Sequence, residues 1–309
     1  MLHSRSLVER IESAQVQNQR DYADTYSALK HSEECVFMQI GKAGALFAGA
    51  DSPLTQSFGL GLGEEMQQPE AQSRAIDALE EFFFAYNVPV NIELANLTPL
   101  DLTILLGRRG YTVCEYSHVL GFDLSLLEGA LSAIPDNGNI AHRATQSEDG
   151  TYIAESGQIQ ALPVNTKELE SVAEAIAAGF LEHNVGEKEI PADFQELFVI
   201  SMQTAGSTAF AVTIDGEIAG AGGLTLVNGV AMLSGASTQP KFRNRGVQKA
   251  LIHERLHYAR HAGCDVAVVS TAPGSVSQEN MQKYGFQILY ARTKFTRLSQ
   301  SLFANNSAP

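Results

Sequence analysis

Gly235-Ala236-Ser237-Thr238-Gln239-Pro240-Lys241-Phe242-Arg243-Asn244-Arg245-Gly246-Val247-Gln248-Lys249-Ala250-Leu251 joins a strand to a helix through a basic turn. The residues before it, Val230–Thr238, begin with an apolar run of strand character. From Gly246 to His261 the apolar residues recur at helical spacing. A helix that starts directly after such a turn has first N–H groups with no intrahelical partner. Its dipole adds about half a positive charge at that end, and the Arg243 and Arg245 guanidiniums add full ones, which suits a pyrophosphate. Gly246 keeps the approach clear of a side chain. By itself, Arg-x-Arg-Gly before a helix also describes a solvated basic turn.

Outward from this stretch the pattern is regular. Upstream, Ala209–Ile214 and Glu217–Leu226 read as a hairpin, because Asp215-Gly216 supplies the positive φ angles of a two-residue turn. Asn228-Gly229 then leads into Val230–Thr238. Before the hairpin come a helix over Lys167–Leu181, which Thr166 can cap, and another from Ala192 to Met202 with Pro191 at its start. Downstream follow a strand Asp265–Ser270, a short helix Ser275–Tyr284 and a strand Phe286–Phe295.

The first half has the same order. A polar helix from Ser6 to Leu29 precedes strands Cys35–Ile40, Ala45–Ala48 and Ser57–Leu62. A helix Pro69–Tyr86, a strand Val88–Leu94, a helix Leu100–Arg108 and a strand Tyr111–Phe122 complete it. Arg109-Gly110-Tyr111 and Tyr284-Gly285-Phe286 introduce the two closing strands, which suggests an internal duplication. A glycine C-cap at each helix end would give the same pattern. The boundary is placed at Asp136-Asn137-Gly138-Asn139.

The chain has 309 residues, long enough for two domains. Its 44% hydrophobic and 18% charged residues describe an ordinary globular protein. A formal net charge of −14 argues against general binding to nucleic acid or an anionic membrane, and it favours a cationic substrate. No apolar run approaches the roughly 20 residues that span a bilayer, and no signal peptide is evident at Met1-Leu2-His3-Ser4-Arg5-Ser6. A cytoplasmic location is expected. Cys35, Cys114 and Cys264 are odd in number, far apart and set among apolar residues, so they are expected to be buried thiols.

The stretch 235–251 resembles motif A of the GNAT superfamily of N-acetyltransferases, which runs from a strand through an Arg/Gln-x-x-Gly-x-Gly/Ala turn into a helix. Arg243 and Gly246 match, and Gln248 stands where a second Gly or Ala is usual. Ala272-Pro273-Gly274-Ser275-Val276-Ser277-Gln278-Glu279-Asn280-Met281-Gln282-Lys283-Tyr284-Gly285-Phe286 looks like motif B, whose short helix lies along the pantetheine. The resemblance covers about residues 165 to 297. It implies an α/β (α+β) chain with two GNAT-like domains, each a mixed, mostly antiparallel sheet flanked by helices. The domains would be 1-135, a degenerate copy without a CoA site, and 140-300, the acetyltransferase. In the first half, Gly63-Glu64-Glu65-Met66-Gln67-Gln68 takes the place of the phosphate turn, and its two carboxylates would repel pyrophosphate.

The resemblance further implies that acetyl-CoA is the co-substrate, with no metal. The acyl arm would lie on backbone groups of Ala236, Ser237 and Thr238, and the pyrophosphate on Arg243, Asn244, Arg245, Gly246, Val247 and Gln248. Gly274, Ser275, Ser277, Asn280 and Met281 would line the cofactor. Two departures stand out: Gly274 occupies the place of a common Asn, and Met281 that of the Tyr that protonates the departing thiolate. Tyr284 is a nearby phenol, with a core or cap aromatic as its plainer reading. Glu187 and Glu189, in the loop Asn184–Glu189, are candidate bases, and solvated loop carboxylates are the plainer reading. The acceptor would be a small-molecule or peptide amine, and a homodimer is possible.

Two other classes remain open. One is a non-catalytic CoA sensor or interaction module, suggested by Met281. The other is a zinc peptidase, because His253-Glu254-Arg255-Leu256-His257 fits H-E-x-x-H. At 100° per residue, Val247, Leu251, Ile252, Leu256, Ala259 and Ala262 form the buried arc of that helix. His253, His257 and His261 then lie opposite it, facing water, where a walled metal cleft would be absent.

Overall fold

A computed structural model describes residues 4–32, 34–127, 145–146, 152–153, 159–181 and 192–298. In chain order it begins with α1 (Arg5–Lys30), β1 (Val36–Ile40), β2 (Ala43–Phe47), β3 (Gln56–Phe58) and α2 (Pro69–Ala85). β4 (Val90–Ala95), α3 (Leu100–Arg108) and β5 (Thr112–Asp123) follow. A ribbon, β6 (Thr145–Gln146) and β7 (Tyr152–Ile153), precedes β8 (Ala161–Pro163), α4 (Leu169–Leu181) and α5 (Ala192–Gln203). The remaining elements are β9 (Ser207–Ile214), β10 (Glu217–Val227), β11 (Val230–Thr238), α6 (Val247–His261), β12 (Val266–Thr271), α7 (Val276–Lys283) and β13 (Gln287–Arg297). They form two compact units, Met1–Gly121 with Ser270–Pro309, and Phe122–Val269. The chain's last helix and strand thus group with its first half. Asp136–Asn139, the boundary read from sequence, lies outside the described residues.

In the first unit the strand order is β1-β2-β3-β4-β13-β5. β3 and β4 are parallel and pair only at Ser57↔Ile92; the other neighbours are antiparallel. Ser4 caps α1 by accepting the Leu7 N–H at 3.1 Å, and His31 ends it at φ 50°. α2 starts with Pro69, whose missing N–H costs nothing in a first turn. Ile76, Leu79 and Phe83 on its inner face pack with Val90, Ile92 and Leu94 of β4 and Leu102 and Leu106 of α3. Burying each such side chain is worth about 1.5–3 kcal/mol. Leu60 and Leu62, read as strand, lie beyond the end of β3 among Gly59, Gly61 and Gly63, all at positive φ. They are buried nonetheless. Glu64–Gln67 is a single 3₁₀ turn.

The second unit orders its strands β12-β11-β10-β9-β8, with β11 and β12 parallel and the rest antiparallel. Asp215 (φ 53°) and Gly216 (φ 81°) make the expected hairpin turn, as Asn228 (φ 49°) and Gly229 (φ 77°) do for the next. Leu169, Val172 and Ile176 of α4 pack with Met202, Ala209 and Ala221. The cap of that helical segment is Asn165 rather than Thr166: its Oδ1 accepts the Lys167 N–H at 2.9 Å, and Thr166–Glu168 is a 3₁₀ turn leading into α4.

Cys35 and Cys264 are buried, but Cys114 is exposed, because Thr112–Tyr116 of β5 are uncovered on both faces. No helix among the described residues is long and apolar enough to cross a membrane.

Candidate functional site

The basic turn has the form expected from its sequence. A 3₁₀ turn, Pro240–Phe242, follows β11; Phe242 is buried beneath it, with the Arg245 guanidinium 5.6 Å and the Lys241 ammonium 5.1 Å from its ring. Lys241 also pairs with Glu217. Asn244 (φ 61°) and Gly246 (φ 85°) are both left-handed, and Gly246 is the N-cap of α6, with no side chain capping the helix start. Arg243, Asn244 and Arg245 are exposed, Gly246 and Gln248 partly so, and Val247 is buried. The result is a helix N-terminus without a side-chain cap, with exposed cationic side chains at its rim.

Ala236, Ser237 and Thr238 end β11, where that strand parts from its parallel neighbour. Pairing between β11 and β12 covers Val230↔Val266, Ala231↔Ala267 and Met232↔Val268 only. On the other side β10 and β11 shift register: Gly223 faces Ser234 and Ala221 faces Ser237, so Gly235 and Ala236 together oppose Gly222. This is a β-bulge, with Gly235 at φ 55°. Ser237 Oγ donates to the Ala175 carbonyl of α4 at 3.2 Å, so its side chain is engaged there. Gln239 fixes the strand end, its backbone N–H donating to Ala219 O at 2.9 Å and its Nε2 to Ile218 O at 2.7 Å.

The motif B residues belong to the first unit. Ser275 caps α7, its Oγ accepting the Gln278 N–H at 3.2 Å. Gln278 Oε1 in turn accepts the Gly274 N–H at 3.1 Å and hydrogen-bonds His118 Nδ1 at 3.0 Å. Ser277 is exposed, Asn280 half-buried and Met281 buried. Tyr284 forms the C-cap of α7; it is half-buried, and burial pushes its phenol above the ordinary range. Glu187 and Glu189 lie outside the described residues.

The H-E-x-x-H helix differs from its sequence reading. Val247, Leu251, Ile252, Leu256 and Ala259 are buried as expected, but so are His253 and Arg255, while Ala262 is exposed. The buried arc is wider than one face because α6 packs against β8, β9, β10, β11 and the turn Leu124–Leu126. The His253 and His257 rings lie 4.5 Å apart, tilted. Burial pushes the Glu254 carboxyl above its ordinary range. No group of three potential metal-ligating side chains occurs among the described residues.

Residues 173–286 match the sequence model of the acetyltransferase (GNAT) family. Among solved structures, the chain is similar to a GCN5-related N-acetyltransferase from Kribbella flavida, with TM-score 0.64 and 15% identity over 97% of this chain and 99% of that one. It is also similar to a tandem GNAT protein from the clavulanic acid biosynthesis pathway, with TM-score 0.55 and 11% identity over 92% and 96%. At these identities the likeness is one of fold. No curated protein matches the chain.

The matched stretch contains the basic turn, β11 and α7, and it also holds two features that the sequence reading passed over. One is the bulge, signalled by Gly220, Gly222 and Gly223 in β10 and Gly235 in β11. The other is Arg255. It sits four residues after Leu251 and four before Ala259, on the buried arc, so its position in the helix already marked it as an anomaly.

Proposed function

We propose that the chain is an acetyl-CoA-dependent N-acetyltransferase that transfers an acetyl group to a primary amine by direct attack. Gly246 carries this reading: a left-handed N-cap with no side-chain cap, next to Arg243 and Arg245, offers a pyrophosphate both N–H donors and charge. The side of β11 beyond Met232, where its pairing with β12 ends among the described residues, supports it, since an extended acyl arm can bond to a strand edge. Ala236, Ser237 and Thr238 would hold the arm, and Arg243–Gln248 the pyrophosphate. Gly274, Ser275, Ser277, Asn280 and Met281 are carried over from motif B as cofactor residues.

In the reaction the amine nitrogen attacks the thioester carbonyl carbon, the C–S bond breaks, and the acetyl group leaves on nitrogen. Backbone N–H groups near Thr238 polarise the carbonyl. The amine proton goes to Glu187, Glu189 or a water chain, and Tyr284 is the candidate donor to the departing thiolate. The N-terminal half is read as a degenerate GNAT-like copy without CoA, in a cytoplasmic protein that forms no complex with nucleic acid or membrane and can pair as a homodimer. Met281, buried where the family carries its acid, favours a second reading, a CoA-binding module without turnover. Thiol release from acetyl-CoA with a panel of amines, peptides and aminoglycosides tests both. Release dependent on the amine supports the enzyme; CoA binding without release supports the module; absence of CoA binding sinks both.

A further inference from the structure

Arg255 is 2% exposed and fully enclosed on α6. Its side chain folds back along the helix, as helical side chains do, with Nε donating to the Leu251 carbonyl at 2.9 Å. Nη1 donates to Gly223 O at 3.0 Å and, at a longer 3.5 Å, to Ser234 O. Gly223 and Ser234 face each other across β10 and β11 as the last register pair before the bulge. A bulge disrupts the ladder, and carbonyls turned out of it need another donor. One guanidinium nitrogen supplies it to both strands.

The neighbouring residues are shaped around this contact. A Cβ on Gly222 would stand 3.0 Å from Arg255 Nη1 and 3.1 Å from Ala236 Cβ. A Cβ on Gly220 would meet Val247 Cγ1 at 2.6 Å. Two glycines on one face of β10 therefore let α6 approach the sheet closely enough for the guanidinium to reach backbone. On the far side of the bulge, a Cβ on Gly235 would lie 3.0 Å from the Phe198 ring. Burial pulls Arg255 down to about 10, and the acceptors that it meets among the described residues are the carbonyls of Leu251, Gly223 and Ser234. A buried charge held by carbonyl dipoles alone is expensive, and the same contacts could have been avoided by an unbulged strand.

We propose that Arg255 is a positioning residue: it locks the bulge at Gly235–Ala236 and so sets the direction in which Ala236, Ser237 and Thr238 present their backbone groups. The inference rests on the reading of β11 as the acyl-arm strand. Arg255 itself touches no cofactor; it acts through the strand.

The test compares two ligands on the full chain. Acetyl-CoA uses the turn and the strand, whereas 3′-phospho-ADP carries the pyrophosphate but has no arm. In Arg255→Met, acetyl-CoA binding weakens about tenfold, the loss of a hydrogen bond or two, while 3′-phospho-ADP binding is unchanged. The rate constant kcat falls about 100-fold, as a misplacement of roughly 1 Å produces. Arg255→Lys, with one ammonium in place of the planar fork, loses less of each. Gly222→Ala keeps the charge but displaces the guanidinium, and it gives the same selective loss, which covers the case in which Arg255→Met does not fold. Equal weakening of both ligands, or normal acetyl-CoA binding and kcat in the variants, overturns the inference alone. A parent chain that binds neither ligand overturns the inference together with the reading beneath it.

Discussion

Glu12 of α1 and Arg292 of β13 meet at 2.7 Å although 280 residues separate them in the sequence. Both are buried, Tyr290 donates its hydroxyl to the same carboxylate oxygen at 2.5 Å, and the guanidinium lies 5.0 Å from the Phe58 ring. The other carboxylate oxygen, Glu12 Oε2, has no partner among the described residues. The pair therefore ties the last strand of the chain to its first helix inside one unit. Arg292→Met leaves Glu12 as an uncompensated buried charge and is expected to cost about 3–5 kcal/mol in urea unfolding. Adding Glu12→Leu to it should recover most of that loss. A double variant no more stable than the single one would show that the pair is not the source.

The phosphate turn gives a prediction on binding. At φ 85° a side chain on residue 246 is strained, so Gly246→Ala both distorts the helix start and narrows the approach to it. Arg243→Ala and Arg245→Ala each remove a charged partner, worth about 1.5–3 kcal/mol if it bonds a phosphate. Calorimetric titration should show acetyl-CoA binding weakened roughly tenfold to a hundredfold in each. The weakening should shrink as salt is raised. Unchanged affinity in all three variants would remove the turn from the site.

Helix capping separates two adjacent residues. Asn165→Ala removes the acceptor of the Lys167 N–H and should lower stability by about 1 kcal/mol. Thr166→Ala leaves that bond in place and should change stability by no more than a few tenths of a kcal/mol. Thermal unfolding of the two variants side by side checks the assignment, and the reverse order of effects would return the cap to Thr166.

Glu93 sets a pH dependence of unusual sign for a carboxylate. Burial pushes it above its ordinary 4.5, against the pull of Arg292 and Lys294. The folded state then holds this proton more tightly than the unfolded chain, so the contribution of Glu93 to stability falls as pH rises from 4.5 through the folded value. Glu93→Gln has no such dependence. The difference in Tm between variant and parent should move in the variant's favour across that window, and a difference flat in pH would contradict the assignment.

Much of the architecture is encoded locally. Asp215-Gly216 and Asn228-Gly229 set their turns because few residues accept positive φ, and both pairs adopt it. Pro69 opens α2, and α3 and β11 have the bounds that their apolar spacing predicts. The basic turn was legible for the same reason: a strand, a glycine and a helix start within a few residues fix where N–H groups point, whatever surrounds them. Where the local signal was ambiguous it misled. Asn165 and Thr166 are both good caps, and the spacing alone could not choose between them.

What the sequence by itself determined about this protein is therefore most of its elements, though not β6, β7 or β8, and the backbone form of one turn. Only the tertiary structure decided that β13 lies between β4 and β5, that β11 bulges at Gly235–Ala236, and that Arg255, His253, Glu12 and Arg292 are buried. The physical reason is range. A turn or a helix cap is settled by dihedrals and hydrogen bonds within about four residues. Strand partners and buried charges are settled by which distant surface completes the desolvation, and that surface can be 280 residues away.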